Sequence, residues 1–234
     1  MRIKICSIIT ITFIIGGFII METAKVSYRS SQKKPVRVLL LGASVGQAWN
    51  LPEWPTRVHN NDYVMETIAE YSFDKSNALE EILMRPERKF HLTRAYIKSL
   101  FKQAPQKPNI IIIKECAAYF PGDLGKNKEL VKKWVNQCKA AAIKPVLATV
   151  VPVTEEHSLK IPGRLQGILE YNDWIRQYTR ENGIVCLDLE AALRISKDDR
   201  RLRPDLTSGD GLHLNRKAYD ILDKLQLNEL SKVI

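Results

Sequence analysis

Val36-Arg37-Val38-Leu39-Leu40-Leu41-Gly42-Ala43-Ser44-Val45-Gly46 is the stretch from which the fold of this chain is read. Its first six residues include five aliphatic ones, a run too short for a buried helix and rich in branched side chains. Such a run predicts a strand buried on both faces. It ends in a turn in which Gly42 and Gly46 flank Ser44. Glycines there let the chain leave a strand sharply and bring backbone N–H groups close to whatever a serine hydroxyl attacks. The same residue types also serve plain strand-to-helix connections, because Gly, Ala and Ser turn well and cap helices. Taken alone, the block fits both a nucleophile and a turn.

The far end of the chain carries a second block, Asp210-Gly211-Leu212-His213-Leu214-Asn215, followed by a helical pattern with Tyr219, Ile221 and Leu222. A histidine between two leucines can be a packing residue. Paired with a nucleophilic serine it has another use: a carboxylate three residues away can hold one imidazole nitrogen while the other faces the hydroxyl. GASVG also fits the G-x-S-x-G elbow of α/β-hydrolases. Position argues against that fold, in which the elbow follows several strands and the acid and histidine sit on separate loops.

The GAS block near the start and DGLHLNRKAY near the end resemble the SGNH/GDSL hydrolases, whose serine follows the first strand and whose Asp-x-x-His block precedes the last helix. The resemblance runs from about Val36 to the C-terminus and is carried by those two blocks. It implies Ser44 as nucleophile, His213 as general base and Asp210 as the residue orienting the imidazole. Ala43 stands where the family usually has Asp. The middle blocks depart further. No glycine accompanies Asp74-Lys75-Ser76-Asn77, where the family places an oxyanion donor. No asparagine occurs at Lys114-Glu115-Cys116-Ala117, where it places another. Gly42, Ser44, Ser76, Lys114 and Glu115 are therefore the oxyanion and substrate candidates. An ionised Glu115 would repel an oxyanion, and Lys114 or backbone N–H groups could replace the missing donor. Lys114 and Glu115 could equally pair with each other.

Residues 1–24 are read as an export signal or membrane anchor, because Ile5 to Met21 carry no charge and follow Arg2 and Lys4. Glu22 makes a poor cleavage site before Ala24, which favours an uncleaved anchor. Residues 25–34 form a basic linker able to lie against anionic head groups. Its Lys25, Arg29, Lys33 and Lys34 oppose export by the positive-inside rule. The basic lead and the family's many envelope members favour an extracytoplasmic domain, residues 35–234.

The formal charge of +10 belongs partly to that leader, and no basic stripe interleaved with aromatics points to nucleic acid. Cys116, Cys138 and Cys186 allow at most one bridge, and Cys186 in IVCLDL reads as a buried thiol. His59, His91, His157 and His213 show no metal-ligand spacing, and no cofactor is required.

Between the end blocks, Gln47 to Asp62 is loop-like, with Trp49 and Trp54 packing on the domain or lining an acyl or sugar site. Strands are expected at 67–73, 109–113, 145–151 and 184–187, and helices from Asp74 through Leu83 and at 90–104, 124–142 and 163–181. Alternating helices and two-sided apolar strands imply a parallel sheet covered on both faces. The expected fold is a three-layer α/β/α flavodoxin-like domain with five parallel strands, in the order 2-1-3-4-5 that the resemblance implies. Sites in such sheets lie beyond the carboxyl ends of the strands, which also makes His157 a rival base. Asp188 reads as a helix cap. The expected function is hydrolysis of an O-acyl ester, on carbohydrate O-acetyl groups first and then on lipid or other short acyl esters. The alternative is a carbohydrate-binding or scaffold protein that has lost its oxyanion hole.

Overall fold

The computed structural model describes residues 14–15, 18–19, 34–87 and 105–233. The chain divides into two compact units, residues 1–33 and 34–234. In the first, Ile14–Ile15 pairs antiparallel with Phe18–Ile19. The rest of the expected leader and linker up to residue 33, like the helix expected at 90–104, lies outside the described residues. No helix among the described residues is long and apolar enough to cross a membrane.

The second unit runs β1 (Val36–Gly42), α1 (Ser44–Ala48), α2 (Trp54–Arg57), β2 (Tyr63–Ala69), α3 (Ser76–Leu83), β3 (Ile110–Lys114) and α4 (Leu124–Ala140). It continues with β4 (Lys144–Ala148), α5 (Glu155–Lys160), α6 (Arg164–Glu181), β5 (Val185–Leu187), α7 (Leu189–Leu193) and α8 (Arg216–Ser231). All five strands are parallel, in the order β2-β1-β3-β4-β5. This is the expected α/β/α sheet and strand order.

Side-chain alternation splits the core in two. Val38 and Leu40 of β1 and Ile110 and Ile112 of β3 pack on one face with Leu189 of α7 and Leu222 of α8. Leu39, Leu41, Ile111 and Ile113 pack on the other with Ile82 of α3, Trp134 of α4 and Ile175 of α6. Each such fully buried aliphatic side chain contributes roughly 1.5–3 kcal/mol. Both faces of β1 and β3 are covered, so their apolar runs are continuous.

The second strand begins four residues earlier than its expected position, at Tyr63. It is an edge strand, with Tyr63 and Met65 inward and Val64 exposed, so it alternates where the central strands do not. Residues 47–62 are not a plain loop. Trp49 and Trp54 are buried, with Asp223 of α8 as their shared acceptor: Trp49 Nε1–H donates to its Oδ1 (2.7 Å) and Trp54 Nε1–H to its carbonyl (3.3 Å). Arg57 Nε–H donates to the other carboxylate oxygen at 2.7 Å. Both tryptophans are therefore core residues, and the segment is clamped to α8.

Cys116, Cys138 and Cys186 are free thiols. Cys186 is half-buried rather than buried, because β5 is the other edge of the sheet, yet burial still pushes its thiol up to about 11. Asp188 caps α7, accepting the Ala191 N–H at 3.1 Å.

Candidate active site

Ser44 opens α1 immediately after β1, at the carboxyl end of the sheet. The two glycines around it are explained by close approach. A Cβ on Gly42 would stand 3.2 Å from the Lys114 carbonyl oxygen and 3.3 Å from Lys114 Cβ, so glycine lets β1 and β3 converge there. A Cβ on Gly46 would come within 2.4 Å of Leu40 Cδ2, so glycine lets α1 lie directly on its own strand. The Gly42 carbonyl accepts the Glu70 N–H at 2.8 Å, so the glycine also extends the pairing of β1 one residue past the end of β2.

The partner turn comes from just before α8, whose cap Asn215 accepts the Ala218 N–H at 3.2 Å. Asp210 folds this turn around its own carboxylate. Its Oδ1 accepts the N–H groups of Leu212 (2.9 Å) and His213 (2.7 Å), and its Oδ2 accepts Nδ1–H of His213 at 2.5 Å. Partial burial works against the Asp210 charge, but the His213 ring and those two backbone N–H groups outweigh it and hold the carboxyl down to about 2. With the proton on Nδ1, the lone pair of Nε2 is free, and it lies 3.1 Å from Ser44 Oγ. Ser44 and His213, 169 residues apart in sequence, form one hydrogen-bonded chain with Asp210. Such an arrangement can take the serine proton as the hydroxyl attacks and stabilise the imidazolium that results.

The other candidates are placed differently. Beside Ser44 lies a cavity of about 10 Å³, walled by Val45, Ala117, Val150, Val151 and Leu212 with Lys114 and Cys116 as its further polar walls. Ser76 is not among its walls. The Ser76 N–H donates to Asp74 Oδ1 (2.9 Å), and its hydroxyl oxygen accepts Trp134 Nε1–H (3.1 Å), so it joins α3 to α4. Glu115 is buried and points to Lys75, whose Nζ donates to Oε2 at 2.7 Å. Burial raises its carboxyl above the ordinary range, while Lys75 pulls the other way. The Glu115 carboxylate thus faces Lys75 and forms no ion pair with the Lys114 ammonium.

Lys114 Nζ donates to the Glu115 backbone carbonyl at 3.0 Å, and this buried ammonium forms no ion pair among the described residues. Desolvation lowers it to about 8. His157, the rival base, does not reach Ser44. Its ring is held between the Asp210 carbonyl and Arg164. The Lys75–Glu115 pair was not legible in the sequence, since nothing local marks two residues 40 positions apart as partners.

Comparison with known proteins bears on the fold and the family. No curated protein matches the chain. A GDSL-like lipase of Bacteroides thetaiotaomicron superposes with a TM-score of 0.61 at 19% identity, covering 85% of this chain and 89% of that one. A candidate acylhydrolase of Bacteroides fragilis superposes with a TM-score of 0.62 at 20% identity, over 86% and 90%. An acetylxylan esterase of Geobacillus stearothermophilus does so with a TM-score of 0.57 at 13% identity, over 85% and 96%. At these identities the structures speak for a shared fold. The sequence profile of the GDSL-like lipase/acylhydrolase family matches residues 89–221, more than half of the chain and inclusive of Asp210 and His213. By that match, and with the fold in agreement, the chain belongs to the GDSL-like lipase/acylhydrolase family.

Proposed function

We propose that the protein is a serine ester hydrolase that removes small acyl groups through an acyl-enzyme. The observation that carries this reading is the 3.1 Å contact of His213 Nε2 with Ser44 Oγ while Asp210 holds the opposite ring nitrogen. Ser44 Oγ attacks the ester carbonyl carbon and passes its proton to His213 Nε2, which then protonates the departing alkoxide. Water attacks the acyl carbon in turn, gives a proton to His213 and releases the carboxylic acid as Ser44 regains its hydrogen. The cavity beside Ser44 has room for about one water-sized group, which argues for the smallest acyl groups, such as acetyl, over long chains. The fold shared with an acetylxylan esterase supports carbohydrate O-acetyl groups as the first substrates to try.

The oxyanion is assigned to the backbone N–H groups at the start of α1, which have no intrahelical acceptor, and to the Lys114 ammonium in the cavity wall. This gives Lys114 opposite effects on activity and stability. Its folded value of about 8 lies below the ordinary 10.5, so the unfolded chain binds the proton more tightly. The charge therefore destabilises the fold below pH 8, and the penalty fades as pH rises from 8 to 10.5. Lys114→Met is expected to raise stability at pH 7 by up to about 3 kcal/mol. It is also expected to lower kcat by roughly 10²-fold and to lack the fall in kcat above about pH 8 that is expected of the parent. Paired pH–rate profiles and thermal melts check both effects; a variant with unchanged kcat removes Lys114 from the oxyanion site.

A carbohydrate-binding or scaffold protein of the same fold is the second reading, favoured by the engagement of Ser76 and Glu115 elsewhere. A fluorophosphonate probe separates the two. Hydrolysis predicts a covalent adduct on Ser44 by peptide mapping, together with turnover of p-nitrophenyl acetate. Absence of both leaves the binding reading.

A further inference from the structure

The turn that carries Asp210 and His213 is held from outside by the segment before and within α5. Thr154 N–H donates to the Gly211 carbonyl at 3.0 Å. Gly211 adopts φ +77, and a Cβ there would strike Thr154 Oγ1 at 2.3 Å and come within 3.0 Å of His157 Cβ, so the two segments are in backbone contact. Next to this contact, His157 Nδ1 lies 3.1 Å from the Asp210 carbonyl oxygen. Its Nε2 lies 2.8 Å from Arg164 Nη1.

These partners settle the tautomer. A guanidinium can only donate, so Nε2 must accept and carry no hydrogen; Nδ1 must then hold the proton, and a carbonyl can only accept it. Arg164 is itself fixed, with Nε–H donating to the Phe120 carbonyl at 2.8 Å. Its guanidinium bonds to that carbonyl and to His157, and to no carboxylate among the described residues. The ring is thereby held in one orientation. A chain of donors runs from Arg164 through His157 to the backbone of the residue whose side chain orients His213.

We propose that His157 is a positioning residue for the ester-hydrolysing site: its Nδ1–H, set by Arg164, pins the Asp210 carbonyl and so fixes the angle at which the Asp210 carboxylate meets His213. The claim about position stands on the hydrogen bonds alone. Its kinetic consequence rests on the reading of Ser44, His213 and Asp210 proposed above.

Two amide substitutions separate the two ring nitrogens. The side-chain amide nitrogen of His157→Asn falls where Nδ1 lies and keeps a donor for the Asp210 carbonyl, while giving up the contact with Arg164. The amide of His157→Gln reaches the place of Nε2, so it keeps an acceptor for Arg164 and loses the donor to Asp210. Thr154 holds the Gly211 carbonyl in both, so the turn is not lost wholesale.

The full-length protein and both variants are compared by p-nitrophenyl acetate kinetics and by the far-downfield proton resonance of the Asp210–His213 hydrogen bond. His157→Gln is expected to lose about 10- to 100-fold in kcat with KM unchanged, as small misplacements of a reacting group do, and to broaden the resonance by exchange. His157→Asn is expected to recover most of the kcat and to keep the resonance sharp. A His157→Gln protein with parental kcat and a sharp resonance overturns the proposal. So does an equal kcat loss in both variants with the resonance intact, which would make the imidazole itself a participant in the chemistry. If the parent hydrolyses no ester, the hydrolase reading fails, and the resonance still decides whether His157 holds the turn.

Discussion

Ser44→Ala is expected to lower kcat for p-nitrophenyl acetate by roughly 10⁶-fold, the scale on which triad enzymes respond to loss of the nucleophile. The hydroxyl supplies both the attacking electron pair and the proton that His213 takes, so no partial mechanism survives its removal. Its one side-chain hydrogen bond among the described residues is the 3.1 Å approach to His213, a ring 43% exposed. Stability should therefore change by less than about 0.5 kcal/mol, as for substitutions outside the core. Single-turnover acylation and thermal unfolding on the same preparation check the two halves. Retained turnover in this variant would falsify the assignment of Ser44, because no other serine lies against His213 Nε2 among the described residues.

Asp210→Asn should lower the acylation rate by about 10⁴-fold while substrate binding stays close to parental. The reason is the tautomer. Asparagine keeps one carbonyl oxygen to accept the Leu212 and His213 N–H groups, so the turn survives. Its amide N–H₂ then faces Nδ1, which must accept, and the ring proton moves to Nε2, where it meets Ser44 Oγ as a donor and cannot take its proton. The stability cost is small, because the carboxylate is 49% exposed and solvent screens its interactions. Asp210 contributes to folding above its ordinary 3.8, and that contribution is lost as pH falls toward about 2. The variant should lack this acid-range loss. Measured beside a melt, normal acylation with reduced stability would leave Asp210 as a turn residue alone.

How legible these features were depends on whether burial or a distant partner decides them. β1 and β3 could be read from sequence because a strand covered on both faces must be apolar at every position, and Leu39–Leu41 and Ile110–Ile113 are. β2 was displaced because an edge strand exposes alternate residues, and Tyr63 to Glu66 mixes polar and apolar side chains as a loop would. Ser44, Asp210 and His213 were found through two short blocks whose resemblance to a family supplied a link that spacing alone could not. The oxyanion candidates fared worse. Ser76 and Glu115 looked available because Trp134 and Lys75, which engage them, lie 58 and 40 residues away. A free loop histidine and one held between Arg164 and a carbonyl read identically until the loops are brought together.

The clamp of Asp223 on Trp49 and Arg57 bears on when the molecule becomes competent during synthesis. Ribosomes release a chain from its N-terminus, so β1 and α1 emerge with Ser44 long before α8 exists. Until then Trp49 lacks Asp223 as the acceptor of its indole N–H, and the part of the sheet face that Leu222 and Leu230 cover is open to water. The same helix brings His213 with it, because the Asp210 turn runs directly into its cap at Asn215. Docking of one late element therefore closes the core, anchors the segment after Ser44 and delivers His213 together. A nascent chain that lacks α8 holds Ser44 with no His213 docked against its hydroxyl, and on the proposed reading it gains the power to cleave an ester only when its last helix folds.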